Sequence, residues 1–301
     1  MRINNIENDL AEHHTQPLGG GKSGAQVYGI DGKYVLKYVQ RKQLGDEKLF
    51  TAYRKEALWY ESAAESGLYC LPEIFDIRNT DEEIVILMKC YQILSRREIE
   101  SGLLKKIMEA LAAVHTAELP QFLKQERHAA QPLSDMQIQK AVEGWRSVLQ
   151  EHPDAFDEGV LKQIAEKINE IIRWHDAEEA VLNHGDFHWD NLLQDERGNI
   201  IICDWQGVSA GQASGDLSFF FSRLQGDGIQ LNRQETIGFY KQAVKRISGR
   251  SVSGKEIEGH IRAANVITSF IFWHQYLHGS TEERVREIYG KMVGDNAGLL
   301  K

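Results

Sequence analysis

The chain has 301 residues, 42% of them hydrophobic, and a formal net charge of −9. That length suits one large domain or two lobes, and that apolar share can build a core. Basic residues are scattered in pairs such as Arg96-Arg97 and Lys105-Lys106 rather than gathered in a stripe, which argues against a nucleic-acid partner.

No apolar run reaches membrane-spanning length, and residues 1–14 lack the apolar stretch of a signal peptide, so no membrane partner is expected. The cysteines, Cys70, Cys90 and Cys203, are odd in number and far apart. They read as reduced thiols of a cytoplasmic protein rather than a disulfide frame or a zinc site.

The first informative stretch is LGGGKSGAQVYGIDGKYVLKYV, residues 18–39. A Walker A loop ending in Gly21-Lys22-Ser23 would need glycine at position 16, which is Gln16, so that match fails. Gly19, Gly21 and Gly24 do form G-x-G-x-x-G, a pattern shared by dinucleotide folds and kinases. The residues after the glycines separate the two. Residues 25–30 and 33–39 are β-rich runs joined by Asp31-Gly32, a hairpin signature, whereas a dinucleotide loop would open a helix. A glycine loop inside a hairpin is the kinase arrangement; a surface hairpin without function is the other reading.

Residues 47–66 are expected as a helix, with Leu49, Tyr53, Ala57, Tyr60 and Ala64 at helical spacing and Gly67 as its stop. Two strands are expected over 73–78 and 83–89. The first ninety residues thus read β-β-β-α-β-β. From about residue 93 the pattern turns helical, over 103–115, 134–150 and 157–175. The apolar strand NIIICD, 199–204, interrupts it. Helices return over 216–224, 233–248, 255–277 and 281–293. A small β-rich lobe, 1–92, would therefore precede a larger helical lobe, 93–301.

The chemistry lies in HGDFHWDNLL, residues 184–193. Asp186 and Asn191 have the spacing of H-R-D-x-x-x-x-N in protein kinases, where the Asp accepts the substrate hydroxyl proton and the Asn binds magnesium. Asp204, closing the apolar strand, sits where those kinases place a metal-binding Asp. Phosphoryl transfer needs such a set: a hard cation on carboxylate and amide oxygens, and one carboxylate kept off the metal for the attacking hydroxyl. In the small lobe, Lys37 follows the glycine loop on a strand, where a lysine would reach the nucleotide phosphates. Glu56 is the one glutamate on the apolar face of the 47–66 helix, and a buried carboxylate needs a partner, for which Lys37 is placed. GGGKSG then reads as a phosphate-covering loop with Lys22 and Ser23 at its tip, their backbone N–H groups and the Ser23 hydroxyl within reach of phosphate, and Gly24 is counted among the nucleotide-binding residues.

HGDFHWDN resembles the H-G-D-x-H-x-x-N motif of the aminoglycoside phosphotransferase and choline kinase-like superfamily. ALAAVH, 110–115, is similar to the helix ending in His that these proteins place before the catalytic segment. CDWQGVSAGQASGDLSFF, 203–220, resembles their metal aspartate, short loop and following helix. The resemblance is strongest over 181–221 and weak over 121–180. It implies an α+β, two-lobed protein kinase-like fold and an ATP- or GTP-dependent kinase acting on a small-molecule hydroxyl. Asp186 would be the base, and Asn191 and Asp204 would hold Mg2+. Lys37 and Glu56 would form the nucleotide ion pair, backbone atoms of Lys89 and Tyr91 would meet the adenine, and Asp216 would brace the catalytic loop. Only eleven residues separate Asp204 from Asp216, too few for an activation loop.

The acceptor is not legible. The negative charge would suit a cationic substrate and is also an ordinary solubility feature. Phe270, Trp273, His274 and Tyr276 are either a cage for a quaternary ammonium or core packing. Trp205 either lines the site or fills the core. The C-terminal GLLK has no counterpart to the terminal carboxylate of aminoglycoside kinases. A nucleotide-binding pseudokinase scaffold is the alternative to an enzyme, but such a chain should have lost Lys37, Asp186, Asn191 or Asp204, and all four are present.

Overall fold

The structure, a computed structural model, describes residues 6–19, 24–95, 99–126, 131–153 and 155–299. Ser23, together with Lys22, lies outside the described residues.

The N-terminal part opens with α1 (Ile6–Glu12) and the strands β1 (Thr15–Pro17), β2 (Gln26–Ile30) and β3 (Tyr34–Gln40). A four-residue helix α2 (Arg41–Leu44) leads into α3 (Glu47–Ala63), followed by β4 (Ile74–Asn79) and β5 (Glu83–Lys89). These strands form one antiparallel sheet in the order β1-β2-β3-β5-β4. The β2–β3 hairpin closes where expected: Asp31 (φ 52°) and Gly32 (φ 64°) both take the left-handed conformation that tight two-residue turns require. Helix α3 starts where Asp46 accepts hydrogen bonds from the amides of Lys48 and Leu49. Its inward face, Phe50, Tyr53, Glu56, Ala57, Trp59, Tyr60 and Ala63, is buried. One carboxylate is thereby carried into an otherwise apolar seam beneath the sheet.

The strand β6 (Gln92–Ile93) begins the second part. Helices α4 (Ser101–Thr116), α5 (Gln121–Glu126), α6 (Asp135–Gln150) and α7 (Gly159–Asp176) come next, then β7 (Ala180–Asn183), β8 (Leu192–Gln194), β9 (Ile200–Ile202) and β10 (Ser209–Gln212). The chain continues through α8 (Ala213–Gly226), α9 (Arg233–Ser248), α10 (Gly254–Phe272) and α11 (Glu282–Leu299). Small antiparallel sheets, β6-β8-β9 and β10-β7, frame the segment 184–208. A β-rich N-terminal part and a mainly helical C-terminal part give the expected α+β, kinase-like layout.

Several elements differ from expectation. Strands β7, β8 and β10 and helix α5 carry no strong periodicity of their own and form in tertiary context. The helix expected over 255–277 stops at Phe272 and tightens into a 3-10 turn over Trp273–Tyr276. This splits the aromatic stripe. Phe270 and His274 are buried, with His274 edge-on to Trp145, while Tyr276 is 72% exposed. The four side chains therefore do not converge into a cage. Among the described residues, no helix is long and apolar enough to cross a membrane.

Candidate active site

Lys37, Glu56 and Asp204, from both halves of the chain, meet at the turn after β9, while Asp186 and Asn191 pair with each other on the segment before β8. Lys37 lies mid-strand on β3, opposite Ile86 of β5 and Val27 of β2. Its Nζ is 2.7 Å from Glu56 Oε2 and 2.7 Å from Asp204 Oδ1. Glu56 is fully buried, and its second oxygen accepts the Trp205 amide at 3.2 Å. One carboxylate on α3 thus holds both the strand lysine and the turn that carries Asp204. Burial works to lower the Lys37 pKa, but the Glu56 and Asp204 charges outweigh it and raise it, so the ammonium stays protonated. Burial pushes the Glu56 carboxyl above its usual range, with Lys37 opposing and the Asp204 charge adding. For Asp204, burial is outweighed by Lys37 and Gln206, and its carboxyl is held below the usual range.

Asp204 itself sits in the left-handed conformation (φ 63°, ψ 64°), which costs a non-glycine residue roughly 1–2 kcal/mol. The turn over Trp205–Gly207 fixes it there. Trp205 is wholly buried against Trp59 and His184, at centroid distances of 5.0 and 4.6 Å, and its indole N–H donates to the Ile202 carbonyl. It fills the core behind the turn instead of lining an open site. Gln206, which sequence reasoning did not single out, donates its amide to Asp204 Oδ1. Its only sequence signal is a polar residue two places after a strand-ending Asp.

The segment from His184 to Asn191 is held from three sides. Asp216, on the first turn of α8 and 1% exposed, accepts the amides of His184 at 2.7 Å and Gly185 at 2.8 Å. His115, closing α4, contacts Asp216 Oδ2 at 3.2 Å and the Tyr240 hydroxyl at 2.8 Å. His184 Nε2 meets the Cys203 carbonyl at 3.0 Å and its Nδ1 accepts the Asp186 amide, so its proton is on Nε2. Burial lowers the pKa of this imidazole, which keeps it neutral. Gly185 (φ 80°) is the position at which only glycine fits: a Cβ there would lie 2.2 Å from the Gly207 carbonyl oxygen.

Asp186 emerges from this frame partly exposed. Asn191 Nδ2 donates to its carbonyl at 2.9 Å and to Oδ2 at 3.2 Å, and His188 Nε2 is 3.5 Å from Oδ2. The Asp190 amide points at His188 Nδ1, which leaves Nε2 as the protonated nitrogen facing Asp186. Partial burial works to raise the Asp186 carboxyl, but His188 and Asn191 outweigh it and hold it below its usual range. The group is therefore a carboxylate at neutral pH, already an acceptor.

The oxygens left over bear on a metal. Asn191 uses its Nδ2 on Asp186, and Asp204 uses Oδ1 on Lys37 and Gln206, leaving one amide oxygen and one carboxylate oxygen. Among the described residues no group of three or more His, Cys, Asp or Glu side chains forms a metal cage. A lone carboxylate with an amide oxygen fits Mg2+, which keeps waters and substrate phosphates as its other ligands.

The remaining nucleotide-site candidates are less engaged. Gly24 (φ 78°) comes after the undescribed part of the glycine loop, and a Cβ there would lie 2.9 Å from a Leu44 methyl. The Lys89 amide donates to the Glu73 carbonyl at 2.9 Å, and the Lys89 ammonium pairs with Glu196. The Tyr91 hydroxyl accepts the Glu73 amide. Among the described residues, the side chains of Lys89 and Tyr91 are thus tied to Glu196 and Glu73 rather than to Lys37, Asp186, Asn191 or Asp204.

Comparison with known proteins agrees with this fold. Solved structures match over nearly the whole chain at low identity. An ADP-bound aminoglycoside phosphotransferase shares 13% identity, with 98% of this chain and 96% of that chain covered and a TM-score of 0.56. An ethanolamine kinase from Plasmodium vivax shares 13%, covering 97% and 84%, TM-score 0.59. A choline kinase from Streptococcus pneumoniae shares 15%, covering 98% and 97%, TM-score 0.57. No curated protein matches the chain by sequence. The model of the phosphotransferase enzyme family matches residues 14–246, which is most of the chain and includes Lys37, Glu56, Asp186, Asn191, Asp204 and Asp216, and the chain belongs to that family.

Proposed function

We propose that this protein transfers the γ-phosphate of ATP or GTP to a hydroxyl group of a small molecule, an antibiotic or a metabolite. Residues 1–92 would hold the nucleotide, and residues 93–301 the catalytic loop and acceptor. The observation that carries the reading is the division of labour between two carboxylates. Asp204 is tied to a protonated lysine and has an oxygen to spare for a cation. Asp186 is ionised, partly exposed and tied to no cationic side chain of the small lobe.

In this reading Lys37, held by Glu56, positions the nucleotide phosphates, with Gly24 and Ser23 above them and the backbone at Lys89 and Tyr91 meeting the base. Asn191 and Asp204 would hold Mg2+, which when bound neutralises phosphate charge. Asp186 Oδ2 accepts the acceptor hydroxyl's proton as that oxygen bonds to the γ-phosphorus and the bond to the β-phosphate oxygen breaks. The hydrogen bonds from Asn191 and the nearby His188 imidazole orient the carboxylate without protonating it. Solved relatives of this fold include complexes with ADP and with GDP and kanamycin, and enzymes named for choline and ethanolamine, which supports a nucleotide and a small hydroxyl compound as the two substrates.

The test is magnesium-dependent nucleotide consumption across aminoglycosides, choline, ethanolamine, thiamine, homoserine and methylthioribose, with Asp186→Ala as control. Asp186→Ala is expected to lower turnover by roughly 10²–10⁴-fold, the usual worth of a general base, with nucleotide affinity retained. Turnover that survives the substitution would overturn the assignment of the base.

A further inference from the structure

A cavity of about 420 Å3 lies in the helical half, between the ends of α4 and α7, the start of α8, and α9 and α10. Its walls include none of Lys37, Glu56, Asp186, Asn191 or Asp204. Its size falls in the range of about 300–1,000 Å3 typical of small-molecule sites.

The charge on its wall is lopsided. Glu178, Glu179 and Glu256 face one guanidinium, Arg250, and Arg250 is already paired with Glu179. Glu178 is largely buried, and its Oε2 accepts the Ser214 hydroxyl at 2.6 Å. The same oxygen lies 3.9 Å from His260 Nδ1. His260 is 6% exposed, and this nitrogen makes no hydrogen bond among the described residues. A gap of 3.9 Å is too long for a direct hydrogen bond, but a third atom donating to both groups would bridge it. In the tautomer with its proton on Nε2, this buried nitrogen is an acceptor beside a carboxylate, which is costly unless something supplies a donor to it.

The adjoining wall is aromatic. Trp174 stacks flat on His260, with centroids 4.2 Å apart and planes 3° from parallel. Gly259 permits this approach, since a Cβ there would lie 2.9 Å from the indole. The indole is 43% exposed, and Leu217, Val244 and Ile257 supply apolar surface beside it. We propose that this cavity is a second ligand site, separate from the phosphotransfer site, that binds a small organic cation with a primary ammonium head and an aromatic or apolar body. The ammonium donates to Glu178 and to His260 Nδ1, and the body packs on the exposed part of Trp174 beside Leu217, Val244 and Ile257.

The probe is phenethylamine, with 3-phenylpropionate as the charge-reversed control, titrated into the full chain by calorimetry at neutral pH and low salt. The amine is expected to bind at one site, with the carboxylate at least about tenfold weaker. Glu178→Gln and Trp174→Ala should each weaken the amine by about tenfold, a difference of about 1.4 kcal/mol. Glu256→Gln alters an exposed side chain and should weaken it less, which keeps the test usable if Glu178→Gln misfolds. Asp204→Ala should leave amine binding unchanged while losing magnesium-dependent nucleotide binding. No amine binding up to about 10 mM, equal binding of the carboxylate, or indifference of folded Glu178→Gln and Trp174→Ala would each overturn the proposal. Loss of amine binding in Asp204→Ala would place the cation in the phosphotransfer site, which also overturns it while leaving the proposed reaction standing.

Discussion

Lys37 Nζ meets Glu56 Oε2 at 2.7 Å, tying strand β3 to helix α3 at a carboxylate with no solvent exposure. Beside the role in phosphate binding proposed above, the pair carries structural weight. Lys37→Met removes the counter-charge from a fully buried glutamate, and breaking a buried pair from one side costs roughly 3–5 kcal/mol. Glu56→Gln removes the charge but keeps an acceptor for the Trp205 amide. The double variant Lys37→Met/Glu56→Gln is therefore expected to be more stable than Lys37→Met alone. Denaturant midpoints compare the three, and a double variant no more stable than Lys37→Met would refute the coupling.

Gly185→Ala is expected to be among the most damaging single-atom additions. The new methyl would lie 2.2 Å from the Gly207 carbonyl oxygen, and the backbone is already at φ 80°. A shift of Gly207 to relieve that contact would move the turn that carries Asp204. Gly32→Ala provides the control, since it has a similar φ of 64° with nothing within 4 Å. The control should lose only the conformational cost of about 1–2 kcal/mol. Gly185→Ala should lose more stability and nearly all turnover, read by thermal melts and by nucleotide consumption.

These two sites show what the sequence made legible. Asp186 and Asn191 could be singled out because their spacing is local, and Asp204 because it closes an apolar strand. Glu56 could be read because helix period alone puts it on the buried face of α3, where a charge demands a partner. Gln206 could not, because its role depends on a turn geometry that no periodicity encodes. The β7–β10 pairing joins AVLN to SAGQ, short runs with little intrinsic strand preference, and it exists because the segment between them is pinned by Asp216. The helix expected over 255–277 ran long for a related reason: helical spacing was extrapolated through Phe272, where the chain tightens into a 3-10 turn and carries its side chains to different surroundings.

Asp216 offers a test of positioning without chemistry. Its carboxylate never faces the open side of the catalytic loop, yet it takes two amides of that loop and His115. Asp216→Asn keeps one acceptor oxygen and turns the other into a donor facing an amide. Turnover is expected to fall by about 10–100-fold, through misplacement of Asp186 by a fraction of an ångström. Nucleotide affinity, which the proposed roles of Lys37 and Asp204 would set, should change little. Equal losses in affinity and turnover would indicate general unfolding instead of positioning.

The pH dependence of stability should carry the mark of His175. This imidazole is largely buried, contacts the Ser214 hydroxyl at 3.0 Å and lies near His260. Burial, helped by the His260 charge, lowers its pKa from 6.5 to about 4. The unfolded chain therefore takes up a proton near pH 6.5 that the folded chain refuses until about pH 4. Stability is unaffected above that window, falls as pH drops through it, and levels off below it as far as this group is concerned. The full effect is at most about 3 kcal/mol, from about 1.4 kcal/mol per pKa unit. His175→Gln retains a polar partner for Ser214 and has nothing to protonate. Urea midpoints between about pH 7 and pH 4.5 should fall more steeply for the parent than for His175→Gln, the slopes differing by up to about 1.4 kcal/mol per pH unit. Parallel slopes would mean that His175 takes up its proton as readily in the folded chain as in the unfolded one.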